Sequence, residues 1–208
     1  MHITGCSIPM LLSLGESGAE IVVGACNTES TDDAAATYLA EHGVTMLAWR
    51  GMPRSSYDEH KTMVRAFDAD YLCDMGGELS AAYLDRMPPV KGALEATSSG
   101  LNLLRGQSIP FPVFDWNSIP LKNQIENRFH VGNEVWPVFT DVTSMSLYRR
   151  TVLVVGYGPV GKGIAERARA LGAMVCVADL DSVRLVEAQH HGCIPVNLFE
   201  GIKRCNIV

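Results

Sequence analysis

The chain has 208 residues, 47% apolar and 19% charged, with mean hydropathy +0.10. This is an ordinary folding composition that excludes long disorder and suits one large domain or two small ones. Lys and Arg total 17 against 23 Asp and Glu, a formal charge of −6 with no basic cluster, which argues against a nucleic-acid binder. No apolar run approaches the roughly 18 residues of a membrane-crossing helix. The opening Met1-His2-Ile3-Thr4 has no basic stretch followed by an apolar core, so it does not read as a signal peptide.

Taken in chain order, apolar strands alternate with amphipathic helices. Glu20 to Cys26 reads as a strand, Ser30-Thr31-Asp32-Asp33 as a helix N-cap cluster, and Ala34 to His42 as a helix stopped by Gly43. Val44 to Trp49 is a strand, Ser56 to Phe67 a helix, Asp70 to Asp74 extended, and Leu79 to Asp85 helical. Lys91 to Glu95 and Pro112 to Trp116 are short strands, and Lys122 to Arg128 resumes a helical pattern. Such spacing predicts βαβ units on a parallel sheet. A connecting helix is expected over residues 134–150, with Pro137 breaking its first turn and a domain boundary within it. The six cysteines contain no C-x-x-C pair and fit neither a disulfide framework nor a zinc site. The six histidines have no spacing that converges metal ligands, so no metal is expected, and the chain reads as cytosolic.

The most specific signal is Thr151-Val-Leu-Val-Val-Gly156-Tyr-Gly158-Pro159-Val160-Gly161-Lys-Gly163. It follows an apolar strand, opens the helix Ile164 to Leu171, and precedes the strand Ala173 to Ala178 that ends in Asp179. That is the context a dinucleotide fingerprint requires. Gly156 permits the tight turn, Gly158 lets backbone approach a pyrophosphate, and Gly161 allows helix to pack on strand. The helix N-terminus offers N–H groups to phosphates. Asp179, 23 residues after Gly156, is placed to bind both ribose hydroxyls, and its charge favours NAD over NADP. A helix (Ser182 to His191, its two terminal histidines exposed), a short strand (Cys193 to Val196) and a terminal strand (Asn206 to Val208) would complete only the adenosine half of a Rossmann fold.

Other segments then form an ordered set. His2-Ile3-Thr4, Cys26-Asn27 with Ser30-Thr31-Asp32-Asp33-Ala-Ala-Ala36, Ala48-Trp49-Arg50-Gly51, Asp74-Met75-Gly76-Gly77-Glu78, Glu95-Ala96-Thr97-Ser98-Ser99-Gly100, and Lys122 with Glu126-Asn127 stand in sequence before the glycine motif. Together they resemble the adenosylhomocysteinase (S-adenosylhomocysteine hydrolase) family over essentially the whole chain. The resemblance implies an α/β protein: a parallel-sheet substrate domain over 1–133, without its N-terminal part, the connecting helix over 134–150, and a truncated Rossmann NAD-binding domain over 151–208. It covers only the middle of the family, so a fragment is expected, and the 208-residue chain alone is expected not to turn over.

The implied reaction cleaves the C5′ thioether of S-adenosylhomocysteine by transient oxidation of the 3′-hydroxyl with NAD, elimination and water addition. By resemblance, Lys122 and Glu126 handle the 3′-hydroxyl proton, Asp74 is the acid/base at C4′, and His2 assists at the 5′ end. Thr4, Cys6, Glu95 and Thr97 would line the substrate, while Thr97, Ser98, Ser99 and Asn127 would reach NAD beside Gly156, Gly158, Pro159, Val160, Gly161 and Asp179. Taken singly, Asp74 reads as a loop acid and Thr97 to Ser99 as helix caps. The resemblance also implies a nucleoside substrate, a homo-oligomer (a tetramer) and neither nucleic acid nor membrane as partner. Four positions depart from the family pattern: Glu126 for Asp, Ala96 for a ribose-binding Glu, Cys6 where an acid or amide reads the adenine amino group, and Ser118 for Asp. These leave two alternatives open, a related 5′-substituted nucleoside lyase or dehydratase and a catalytically inactive NAD-binding regulator.

Overall fold

The computed structural model describes residues 1–208, which form two compact units, Met1–Asn117 and Ser118–Val208. The division falls ahead of the helix that carries Lys122, not within residues 134–150 as the sequence suggested.

In the first unit, helix α1 (Ile8–Glu16) follows a short turn at Gly5–Ser7. Pro9 lies in its first turn, where a missing N–H costs no hydrogen bond. No periodic signal in the sequence pointed to this helix. Strand β1 (Val22–Gly24) pairs in parallel with β2 (Thr45–Leu47) across α2 (Asp33–Glu41). The Asp32 side chain caps α2 by accepting from the amides of Ala34 and Ala35, and Gly43 beyond its end takes φ +87°. Ala35, Ala36 and Leu39 bury one face of α2 with Ile3 and Val23.

After α3 (Arg54–Ala66) come β3 (Tyr71–Asp74), α4 (Glu78–Ala82), β4 (Gly92–Glu95), α5 (Ser98–Leu104) and β5 (Val113–Asp115). The three strands form a parallel sheet in the order β3-β4-β5. Its hydrogen bonding is separate from the β1-β2 pair, so the unit holds two sheets where one was expected. The register sets Asp74, Glu95 and Asp115 side by side at the carboxyl ends of their strands.

The second unit begins with a π-helix over Leu121–Val131 that runs directly into α6 (Gly132–Thr143). The expected connecting helix is therefore the tail of a longer one: it ends at Thr143, not 150, and accommodates Pro137 internally. Then follow β6 (Thr151–Val155), α7 (Pro159–Ala170), β7 (Met174–Ala178), α8 (Ser182–His190), β8 (Ile194–Pro195) and α9 (Leu198–Arg204). Helix α9 went unread because it spans only seven residues after a Pro-containing strand. The expected terminal strand is a single parallel bridge, Val152 to Ile207, with Leu153 N–H donating to the Ile207 carbonyl at 2.8 Å.

The sheet therefore reads β8-β7-β6 and then the Ile207 segment, all parallel. This is the beginning of the dinucleotide-fold strand order, which reverses direction at β6. Ligands of such sheets bind at the carboxyl ends of the strands beside that reversal, and here the glycine turn occupies that place.

Two glycines key the helices of this unit together. A Cβ on Gly132 would lie 2.6 Å from Gly163 Cα, and one on Gly163 would collide with the Arg128 carbonyl oxygen. Backbone meets backbone there, so neither neighbour can rotate away. Gly163→Ala is expected to lower the stability of residues 118–208 by about 3 kcal/mol, the upper range for forced overpacking. Urea unfolding followed by Trp136 fluorescence would measure this; an unchanged midpoint would refute the tight crossing.

Candidate functional site

The turn between β6 and α7 is built for close approach. Gly156 takes φ +94°, which a side chain would strain. A Cβ on Gly161 would collide with the Gly156 carbonyl oxygen, whereas a Cβ on Gly158 would meet nothing closer than Arg184 at 4.0 Å. Gly161 is thus required by packing on the turn, and Gly158 by the space it leaves open. Like α1, α3, α4 and α6, helix α7 opens with no capping side chain, here on Gly158. Its first-turn amides at Val160 and Gly161, behind Pro159, fit a phosphate.

Asp179 closes the other side of the turn. Its Oδ2 accepts from the Tyr157 amide at 2.5 Å and its Oδ1 from the Asp181 amide at 2.8 Å. Burial alone would raise its pKa, but those two amides and the nearby Arg184 outweigh it and hold the carboxyl below the usual carboxylate range. Each carboxylate oxygen keeps a lone pair free, so the charged acid can still receive ribose hydroxyls. These residues fit NAD: an open glycine turn, an uncapped helix start and an ionised acid across from them.

Lys122, Glu126 and Asn127 come together on the π-helix. Lys122 Nζ donates to Glu126 Oε1 at 2.8 Å and to Asn127 Oδ1 at 3.1 Å. The wide i→i+5 turn of a π-helix lets residues four and five positions on face the same lysine, and such turns recur at functional sites. The Lys122 side chain is largely covered while Glu126 is exposed.

In the first unit, Asp74 and Glu95 are both buried. Asp74 Oδ2 accepts from the Ser80 amide at 2.7 Å, which secures the first turn of α4. Glu95, expected to touch substrate, is fully buried and holds its own chain: Oε1 accepts from the amides of Gly76 and Thr97 and from the Thr97 hydroxyl. A Cβ on Gly100 would fall within that carboxyl group. Thr97 caps α5 by accepting from the Gly100 amide at 3.0 Å and contacts Ser99, while Ser98 accepts from Asn117 at 2.8 Å. Glu95→Ala is expected to destabilise residues 1–117 by about 3 kcal/mol, since three part-buried donors lose their charged acceptor. Hydrogen exchange would read this directly; protection at the Gly76 and Thr97 amides unchanged from wild type would contradict it.

Met1, His2 and Ile3 form another group with the Cys26–Asp33 segment. The Met1 ammonium donates to the Gly24 carbonyl, Cys26 N–H to Met1, and Asp32 N–H to Ile3 at 2.8 Å. This sets His2 Nδ1 2.6 Å from Ser30 Oγ. Thr4 and Cys6 are exposed on the turn that follows.

The family profile for S-adenosyl-L-homocysteine hydrolase matches residues 1–100, and the profile for that enzyme's NAD binding domain matches residues 135–208. The chain belongs to the S-adenosyl-L-homocysteine hydrolase family. S-inosyl-L-homocysteine hydrolase of Methanothermobacter thermautotrophicus is 32% identical over 216 residues, covering 100% of this chain and 52% of that relative. Adenosylhomocysteinase of Thermococcus kodakarensis is 32% identical over 98% of this chain and 50% of that relative. The chain thus spans about half the length of the curated relatives it matches. Among solved structures, a dipicolinate synthase from Bacillus halodurans gives a TM-score of 0.45 at 16% identity, over 93% of this chain and 66% of that one. The profile that names NAD as its cofactor thus spans the glycine turn, Asp179 and the parallel sheet beneath them.

Sequence reasoning missed the packing beneath that turn. Tyr157 is fully buried and its hydroxyl lies 2.9 Å from His191 Nδ1, so His191 is a half-buried partner and not the end of an exposed helix. Burial pushes the Tyr157 phenol well up. A tyrosine between two glycines was the available signal. Arg128, paired with Glu166 across α7, gave none, because the two are 38 residues apart.

Proposed function

We propose that the protein performs NAD-dependent cleavage of the C5′ thioether of S-adenosylhomocysteine, yielding adenosine and homocysteine within methyl-group metabolism. The observation that carries this is the presence of the Lys122–Glu126–Asn127 group and the glycine turn in one compact unit. Bound NAD would accept a hydride from C3′ and return it at the end. Lys122 Nζ, in its neutral amine form, would take the 3′-hydroxyl proton, and Glu126 would hold the resulting ammonium by the hydrogen bond it already accepts. A ketone at C3′ acidifies the C4′ proton. Asp74 would move that proton through Oδ1, because Oδ2 is engaged by Ser80. His2, held by Ser30, would serve the 5′ end, with Thr4 beside it. Thr97, Ser98, Ser99 and Asn127 are assigned to NAD by the family pattern alone, and a homo-oligomeric, cytoplasmic enzyme rests on the same ground.

The full-length protein incubated with adenosylhomocysteine should release free thiol, and adenosine should produce a reduced-nicotinamide absorbance. Neither signal in protein that binds NAD would defeat the proposal. A second reading concerns the base. Relatives named for S-inosyl- and for S-adenosyl-homocysteine are equally similar, and the exposed Cys6 stands where the family places the reader of the adenine amino group. Comparing kcat/KM for the two substrates decides between them. The two relatives named above are both hydrolases by name, neither a dehydratase nor a regulator.

A further inference from the structure

A hollow of about 450 Å³ opens in the first unit between the turn that leads into α2 and Arg50, in the loop after β2. Backbone bonds fix its frame. Arg50 N–H donates to Asp33 Oδ1 at 2.7 Å, and Gly51 N–H to the Thr28 carbonyl at 2.9 Å. Asp32 Oδ1 is spent on the amides of Ala34 and Ala35. Two charged ends on the wall are left over: the Glu29 carboxylate and the Arg50 guanidinium pair neither with each other nor with a neighbour, and only the backbone amides of these residues are engaged. Thr31, on the same wall, is 2% exposed, and its Oγ1 finds no partner in the fold. A buried hydroxyl left unpaired costs stability until something supplies the missing bond. Ser30 also lines the hollow and lies 2.6 Å from His2 Nδ1, so the opening sits beside the residue assigned to the 5′ end.

An unpaired acid and an unpaired guanidinium on one wall match a group that carries both charges. The fork of an arginine suits a carboxylate. With Asp32 and Asp33 beside Glu29, three carboxylates face one cation, so an ammonium is favoured over a carboxylate there. The α-amino acid end of homocysteine is such a group. We propose that this hollow seats that end of the substrate, its α-ammonium on Glu29 and the Thr31 hydroxyl and its α-carboxylate on Arg50. This rests on the thioether-cleavage reading and holds for either base, because adenosyl and inosyl substrates share the same tail.

The test is hydrolysis by the full-length protein of three thioethers of one nucleoside, read as free thiol. They carry homocysteine, its decarboxylated aminopropyl form, or its deaminated carboxypropyl form. Wild type should rank them in that order by kcat/KM, with the carboxypropyl thioether about tenfold below homocysteine, as loss of one charge-assisted contact predicts. Arg50→Ala should slow the carboxypropyl thioether about tenfold more than the aminopropyl one, and Glu29→Gln should do the reverse. Both side chains are exposed, and the Arg50 amide that binds Asp33 is kept, so neither exchange should disturb folding. Thiol release with equal losses on both thioethers, or with none, overturns the proposal and leaves the cleavage reading standing. No thiol from any of the three, in protein that binds NAD, defeats the cleavage reading itself and this proposal with it.

Discussion

Lys122→Ala in the full-length enzyme is expected to lower kcat by about 10²–10⁴-fold, the range for loss of a positioned proton-transfer group, while dinucleotide affinity stays near wild type. Lys122 is the shared donor to Glu126 and Asn127, so its removal empties the centre of that group without touching the glycine turn. Glu126→Ala should cost less, because it removes the exposed partner and leaves the amine. Single-turnover oxidation of adenosine separates the possibilities. A slow first hydride transfer with normal NAD affinity supports the assignment, and an unchanged rate refutes it. Equal loss of cofactor affinity would mark Lys122 as a structural residue of the π-helix.

Gly161→Ala should abolish dinucleotide binding in the same chain. The new methyl would collide with the Gly156 carbonyl, and Gly156 cannot retreat because its N–H is bonded to Ala178 at 2.8 Å. Either the turn opens or α7 shifts off the sheet, and both displace the first-turn amides. A loss of roughly 100-fold or more in ADP-ribose affinity follows from misplacing several backbone donors together, each worth about 1–1.5 kcal/mol. Gly158→Ala is the control. Its methyl enters open space, so the fold should tolerate it and only ligand binding should suffer. If Gly161→Ala binds normally, the turn is not the phosphate cradle.

Features with local causes were legible in the sequence. Asp32, the stop at Gly43 and the strand–glycine–helix run at 151–171 are short-range patterns; the cap, the stop and the strand formed where expected, and the helix opened at Pro159, five residues before the expected Ile164. Features that depend on distant neighbours were opaque. By resemblance Glu95 is expected to line the substrate, but its carboxylate is buried among Gly76, Thr97 and Gly100. The π-helix could not be inferred from a 3.6-residue period. It gathers Lys122, Glu126 and Asn127 through a wider repeat, although their family spacing had marked them. Gly163 looked like one more glycine of the turn until Arg128 and Gly132 were seen against it.

That glycine-on-glycine crossing has a mechanical consequence. Helices joined at backbone contact cannot slide past one another without breaking contact, so the stretch from Leu121 to Thr143 and the rod behind the nucleotide turn behave as one piece. The separation between Lys122 and the nucleotide turn is then set when residues 118–208 fold.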